Sequence, residues 1–520
     1  MCTQEPEWRT ADMGNQLARW SAPRWKGFDA RRAVGSGKRL VFKAVTAPGL
    51  PEASRPAGAG ALELSRPPRR RMRPSALWLV MLVPAGFILT YLWLIWTQTP
   101  TAPYWDEWIY VPLVKHANQG TLSLQEIWAL HWFSHRIVIP RLVDLALIQL
   151  TSWNRQIIMT FDLGVGVASS ALIFSCARDT LKSDRATLIL VAPMSLLLFS
   201  FSQAHDWLAP FQIAFIATAF GVACCTRALL HRPLTWSRFA FALCGALIAT
   251  LSSAAGLVAW VAFAPSILRA GYRKLLIWGG VAIGVCTAYL IGYPQVHIAA
   301  SRKGIPPFVL AYLGAPLGAP SVVRAEIFGA VGLAGMGAAV YLYWRRHGEL
   351  SAITAWLDLA LFALGTDVLT TIGRFFAGTH AALTSTYQIF SALWWIALLV
   401  IVGKVVVEYA ATPMLWDRLR SRIAIVTLAG AVFGAALMLL CGIVANAAGL
   451  TDALAWQGTL TQHQWCIADY RNAPDSCLGL WFPIGDKQQN VENAIYLEAH
   501  HLAIFAGAQG PRDATAPPRR

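Results

Sequence analysis

Apolar runs bounded by short polar stretches recur along the chain, at 75–96, 155–177, 186–203, 209–230, 274–292, 326–344, 351–371, 386–407 and 422–447. A helix crosses the hydrocarbon core of a bilayer in about 20 residues, so each run predicts a membrane span. The loops orient them, because cytoplasmic loops carry the excess of Lys and Arg. Arg178, Lys182 and Arg185 share one loop, Arg227, Arg232 and Arg238 the next on that side, then Arg345 with Arg346, and finally Arg418, Arg420 and Arg422. This places the amino terminus inside. Residues 239–268 break the alternation: the segment is continuously apolar, yet Arg238 marks one end as cytoplasmic and Arg269, Arg273 and Lys274 mark the other end likewise. An even number of crossings has to fit into a stretch too short for two full spans, which predicts two short buried helices hinged at "SSAAG", Ser252 to Gly256. Irregular backbone is tolerated at membrane depth only where protein or a water-filled cavity surrounds it. The fold class predicted is therefore an all-α polytopic membrane protein of about 11 membrane helices, the hinged pair included, with the carboxyl terminus outside.

The first outer loop, 98–154, has its own pattern. It opens with "YWDEW", two adjacent carboxylates among three aromatics. "SLQE" then supplies a capping box, Ser123 with Glu126, ahead of an aromatic-rich helix holding Trp128 and Trp132. "IPRLVDLALIQL" predicts a second helix with Pro140 near its start. Both suit the membrane interface, where Trp and amphipathic helices settle.

Composition agrees with the periodicity: 56% of residues are hydrophobic and 13% charged. The net charge of +16 would suggest nucleic acid, but residues 1–74 hold 15 Lys or Arg against 6 Asp or Glu, so most of the excess lies in one tail. No nucleic-acid partner is expected. The tail is rich in Gly, Pro, Ala and Arg, lacks periodicity and ends in "SRPPRRRMRP", a composition that does not bury enough apolar surface to fold alone. It reads as a disordered basic segment; its basic run could meet anionic lipid, and Met72 offers an alternative start. The stretch after it is too long for the h-region of a cleavable signal and stays as an anchor. Three parts follow: a tail at 1–74, a membrane domain at 75–447, and an extracytoplasmic tail at 448–520.

Ionisable chemistry gathers on the predicted outer side. Nine of the eleven histidines fall there: His116, His131, His135, His205, His297, His380, His463, His500 and His501. Asp106 and Glu107 are the sharpest candidates. They form either a solvated acidic turn between Trp anchors, or a general base whose basicity apolar neighbours raise, or part of a divalent-ion site needing further oxygen ligands. "HWFSHR" sets His131 and His135 at i, i+4, on one face if the helix continues; without a third ligand they suit hydrogen bonding beside a cleft better than zinc. Arg136 and Arg141 could pair with Asp144 or face an anion. His205 and Asp206, in "QAHDW", form a turn that could reach the same cavity as Asp106. Arg302 and Lys303, in the outer Pro- and Gly-rich "SRKGIPPFVLAYLGAPLGAPSVVRAE", are either interfacial anchors or a phosphate-capturing pair. Arg374 lies at the outer end of a span in "GRFFAGTHAALTSTY", with His380 and Tyr387 close behind. Cys466 and Cys477, alone among the nine cysteines, sit in the outer carboxyl-terminal tail, where an oxidising compartment would permit a disulfide. No phosphate-binding glycine motif, nucleophile elbow or internal repeat stands out.

One span, a long outer loop opening on an acidic pair, then many spans with basic residues in outer loops: this order resembles the GT-C superfamily of membrane glycosyltransferases. "YWDEW", "HRIVIPRL", "TSWN" and "GRFFAGTHAALTSTY" are similar to a group of uncharacterised bacterial multispanning proteins, over residues 75–485. The resemblance implies transfer of a sugar from a polyprenyl-phosphate donor to a hydroxyl of a glycan or lipid acceptor, on the outer face of a bacterial inner membrane. In such enzymes the acidic residue after the first span is the catalytic base or helps to hold Mg2+ or Mn2+, which carries over to Asp106 first and Glu107 second. Arg374, then Arg302 and Lys303, would neutralise the departing lipid phosphate, with His131, His135, Arg136, His205, Asp206, His380 and Tyr387 lining the cavity. The chain departs from better-known members in lacking a large soluble carboxyl-terminal domain and a clear second acidic motif, unless Asp206 serves. A transporter or flippase of lipid-linked saccharide, or a non-catalytic partner in envelope assembly, are the rival readings.

Overall fold

A computed structural model describes residues 74–131, 135–293, 304–410, 422–481 and 487–506; the basic tail, Arg302 and Lys303 lie outside the described residues. Among the described residues the chain is all-helical, and nine helices are long and apolar enough to cross a membrane, the architecture of a multi-pass membrane protein.

The first apolar run forms α1 (Pro74–Thr97). The loop after it holds a 3-10 turn, Trp105–Ile109, and short helices α2 (Tyr110–Asn118) and α3 (Leu124–Trp128), then α4 (Val138–Thr151). The spans continue as α5 (Arg155–Leu181) and α6 (Asp184–Leu198), the latter extended by a 3-10 turn and α7 (Ala204–Trp207). Next come α8 (Ile213–Leu229), entered through a 3-10 turn at Pro210–Gln212, and α9 (Trp236–Ser252). After α10 (Leu257–Ala262) and α11 (Ala264–Leu268) the chain runs through α12 (Tyr272–Leu290), α13 (Ile305–Gly318), α14 (Val322–His347), α15 (Thr354–Arg374) and α16 (Ser385–Ala410). It closes with α17 (Arg422–His463) and the short α18 (Trp465–Ala468), α19 (Asp475–Leu478) and α20 (Lys487–Ala499).

The hinge falls where the charge parity puts it. α9 ends at Ser252, Ser253 is fully extended (φ −157°, ψ 164°), and a 3-10 turn at Ala254–Gly256 leads into α10. Hydroxyls satisfy the interrupted backbone: Ser253 bonds the Thr218 hydroxyl at 2.8 Å, and Thr250 donates to the Gly256 carbonyl at 3.1 Å while accepting from the Trp260 indole at 2.8 Å. The opened ladder is thus enclosed by protein, the condition under which irregular backbone survives in an apolar layer.

Two features of the sequence reading change. The Pro- and Gly-rich stretch after 304, which none of the predicted spans includes, forms the helix α13, which pairs antiparallel with α14. Pro306 and Pro307 sit in its first turn, where no intrahelical N–H is lost, while Pro316 lies inside the last turns, and its glycines mark a helix crossing: a Cβ on Gly314 would come within 1.8 Å of the Ala325 carbonyl oxygen. Small residues allow such close backbone approach where lipid supplies no hydrophobic drive. Second, the last long helix does not stop at 447 but runs unbroken to His463. The segment beyond it folds back on the first loop, with the Trp105 N–H donating to the Trp481 carbonyl at 2.9 Å and the Ala503 N–H to the Ser152 carbonyl at 3.0 Å.

Candidate functional site

The YWDEW turn is built under constraint. Trp105 has φ +48°, in the left-handed region that costs a residue with a Cβ about 1 kcal/mol or more. The carboxyl-terminal segment holds it there, through the Trp481 carbonyl and through Tyr104, whose ring meets Trp456 and Trp481 edge-on at 5.7 and 6.1 Å. Cys466 and Cys477 are joined by a disulfide across eleven residues within that segment. Backbone strain held in place by distant parts of the chain clusters at functional sites.

The two acids of the turn enter opposite environments. Glu107 points inward and is buried in a bidentate pair with Arg155, Nε to Oε2 at 2.8 Å and Nη2 to Oε1 at 2.7 Å. Arg155 owes its place to "TSWN": Ser152 and Trp153 turn the chain with positive φ, the Asn154 side chain accepts from the Ile157 N–H, and Arg155 becomes the first residue of α5. Its remaining arm donates to the Pro100 carbonyl at 2.6 Å. Burial raises the Glu107 carboxyl above the usual range, and the Arg155 guanidinium opposes that rise. The buried carboxyls of Asp144 and Asp162 extend this polar node, with the Tyr110 hydroxyl donating to Asp144.

Asp106 stays at the surface of the turn, with 29% of its side chain exposed, 3.4 Å from Nε2 of the buried His131. The i, i+4 helix face expected for His131 and His135 does not form. α3 ends at Ala129, whose ψ of 150° leaves the helical region, and the two histidines meet instead as an antiparallel backbone bridge; Trp132 lies outside the described residues. The result is still a convergence. The His131 ring lies 4.5 Å from Phe211, and the His135 ring packs edge-on against Phe215. His135 Nδ1 accepts the Ala254 N–H at 3.4 Å, so the hinge between α9 and α10 opens onto the same histidine. Burial, then the charge of His131, then that of Arg374 hold the His135 imidazole down at about 4, with Asp106 opposing them. Burial likewise lowers His131, against the pull of Asp106. Arg374, at the end of α15, bonds Tyr387 and acts by its charge on His135, as His131 and Asp106 also do.

Other candidates take different roles. Arg136 is committed to backbone carbonyls. It is buried, stacks on Trp128 at 5.2 Å and donates to the carbonyls of Trp128, Tyr289 and Ile291. Arg141 does not pair with Asp144 but binds the carbonyls of Glu126, Ile127 and Ala129 at the open end of α3. The capping box at the other end is complete, and with His116 it lowers Glu126 to about 2. His205 stacks on Trp456 at 3.8 Å and with His380 lines a separate cleft, while Asp206 is fully buried beside the Ser385 and Thr386 hydroxyls. Among the described residues no three His, Cys, Asp or Glu converge to hold a metal.

Sequence reasoning missed Arg155. One signal could have found it: an arginine opening an apolar span, directly after an Asn cap, is a charge that needs a partner. An apolar groove of about 430 Å³ also went unseen, lined by Ile139 and Val143 of α4, Phe161 of α5, and Ile213 and Phe220 of α8. The chain matches no known protein family, no curated protein and no solved structure.

Proposed function

We propose that the protein is a membrane glycosyltransferase that moves a sugar from a polyprenyl-phosphate donor to an acceptor hydroxyl, with the first loop on the extracytoplasmic face of a bacterial inner membrane. The observation that carries this reading is the division of labour in one turn: Glu107 is neutralised by Arg155, while Asp106 remains partly open beside His131, and His135 feels the charges of both Asp106 and Arg374. A base has to reach solvent and substrate, and Asp106 is the carboxylate of the pair that does. In the reaction, the acceptor oxygen attacks the anomeric carbon and its proton passes to Asp106. The bond from the anomeric carbon to the phosphate oxygen breaks, and the phosphate departs with the bonding electrons towards Arg374. His131, held neutral, accepts or donates a hydrogen bond beside Asp106. The groove between α4, α5 and α8 is wholly apolar, as a carrier chain requires.

The test is Asp106→Asn in membranes holding equal amounts of protein. The variant keeps shape and removes the proton acceptor, so glycan transfer should fall by about 10² to 10⁴; equal activity would return the pair to the role of a wet turn. Basic residues of the remaining sequence stretch, Arg302 and Lys303, would add to phosphate binding, and added Mg2+ or Mn2+ would change the rate if an ion assists.

A second reading has one observation in its favour. The broken helix at Ser253 touches His135, and discontinuous helices serve coupling sites in transporters. A flippase of lipid-linked saccharide would move the carrier without forming a glycosidic bond. A deletion strain separates the two, since donor accumulated on the outer leaflet favours transfer and donor accumulated in the cytoplasmic leaflet favours transport.

A further inference from the structure

Beside the Asp106 site lies a second concavity of about 380 Å³, between the turn at Phe201–Gln203, α7, the start of α16 and the middle of α17. That is the size class of small-molecule sites, which begins at about 300 Å³. Its chemistry differs from that of its neighbour. Hydroxyls come from Thr384, Ser385 and Thr386, an amide from Gln212, a carboxylate from Asp452 and an imidazole from His380. Among the described residues no Lys or Arg lines it. A phosphate or an acidic sugar would meet Asp452 with no cation to balance it, whereas a neutral polyol finds alternating donors and acceptors.

One of these groups lacks a partner: the Gln212 side-chain oxygen is buried and unbonded among the described residues. Behind the cleft the fully buried Asp206 accepts from the Ser385 and Thr386 hydroxyls and so orients two groups of its lining. Buried polar atoms without partners mark places where a ligand or water completes the bonding. Apolar surface from Phe201, Leu383 and Pro320 provides the complement to the C–H face of a sugar ring. The two sites also share walls. Phe211 meets the His131 ring while Gln212 lines the cleft, and at the start of α16 Tyr387 bonds Arg374 while Thr386 and Gln388 face the cleft.

We infer that this cleft is a saccharide-binding subsite that seats a neutral sugar ring of the acceptor next to the Asp106 site. The assignment of the ring to the acceptor rests on the transferase reading; the binding of a neutral sugar does not. The acceptor is then a glycan rather than a bare lipid or protein hydroxyl.

The full chain in lipid nanodiscs, titrated by saturation-transfer NMR with glucose, galactose, N-acetylglucosamine, glucuronate and inorganic phosphate, tests this. At least one neutral sugar should bind saturably, and glucuronate and phosphate should not compete with it. Gln212→Met and Asp452→Ala should each weaken that binding about tenfold or more at unchanged melting temperature, as expected for hydrogen bonds lost in the cleft. Thr384→Val on the exposed rim replaces either variant that does not fold. Asp106→Asn should bind the sugar as the wild type does. Absence of saturable binding by every neutral sugar, preference for glucuronate or phosphate, or binding indifferent to the cleft variants would overturn the inference. Sugar binding without any glycan transfer would leave the cleft standing and remove the transferase; transfer with no sugar bound in the cleft would do the reverse.

Discussion

Asp106 and Glu107 are neighbours in sequence and occupy two different kinds of place. Glu107 is 2% exposed and held by two bonds from an arginine that is 1% exposed; Asp106 is 29% exposed and meets a histidine at 3.4 Å. A carboxylate locked in a bidentate pair has its bonding capacity filled and its charge balanced, so it organises the loop. A carboxylate at the open edge of the same turn, supported by ordered aromatics and an imidazole, stays within reach of solvent. The adjacency itself is informative: the scaffold acid fixes the turn and so fixes the direction of the acid beside it.

The comparison breaks most severely if its buried half is cut. Arg155→Ala leaves Glu107 charged, desolvated and alone, a change that costs about 3 to 5 kcal/mol when one member of a buried pair is removed. Thermal unfolding in detergent should show a large fall in midpoint, or no folded protein. The double variant Arg155→Met with Glu107→Leu removes both charges and should recover much of the loss, because apolar replacement of a whole buried pair is often neutral or better. A cost below about 1 kcal/mol for Arg155→Ala would mean that the pair is not structural.

Activity sharpens the same contrast at a milder level of stability. In protein that remains folded, Asp106→Asn should lose about 10² to 10⁴ in transfer, as a missing general base does, whereas Glu107→Gln should lose stability first and far less turnover per folded molecule. Comparable losses of turnover, with a response to added Mg2+ and chelator, would mean instead that the two acids share an ion.

The third test reaches the turn from the far end of the chain. The disulfide between Cys466 and Cys477 braces the segment whose Trp481 carbonyl holds Trp105 in its strained conformation. Closing an eleven-residue loop constrains the unfolded segment by about 2 to 3 kcal/mol in the chain-entropy account. Cys466→Ser with Cys477→Ser should therefore lower the melting temperature and reduce transfer, while the Arg155–Glu107 pair stays intact. Unchanged activity in the reduced protein would show that the turn holds without its brace.

These features were unequally legible in the sequence. The spans and the hinge at Ser252–Gly256 were readable because the bilayer imposes a length and the loop charges impose a parity, two constraints that act on the chain residue by residue. α13 was hidden for the opposite reason: Pro306, Pro307 and Gly314 look like loop formers, yet they stand where a helix start and a tight crossing want them. The meeting of His131 and His135 was expected on a helix that Ala129 ends; a turn brings them together instead, which periodicity does not encode. The Arg155–Glu107 pair spans 48 positions and has no local signature beyond an arginine at the head of an apolar span. Asp106 could be singled out from composition around it, but its separation from Glu107 is a property of the turn.

The smallest expected effect concerns the histidine on the open side. His135 titrates at about 4 in the folded protein, against about 6.5 for an unperturbed imidazole. Below pH 6.5 the unfolded chain takes up a proton that the folded chain refuses until about 4, so the folded-state pKa is depressed and its stabilising share is present above 6.5 and lost as pH falls towards 4. Between pH 7.5 and 5.5 the loss should be about 1 kcal/mol for this group alone. His135→Gln, which keeps an acceptor for the Ala254 N–H but cannot take the proton, should flatten the decline of melting temperature over that range. Glu107, whose pKa is raised by burial, is ionised in the unfolded chain over the same range and works in the opposite sense, gaining stability as pH falls, so the difference between wild type and His135→Gln isolates the histidine. Parallel melting curves would show that His135 is solvated enough to titrate normally, and the open half of the site would then be wetter than its packing against Phe215 and Ala254 implies.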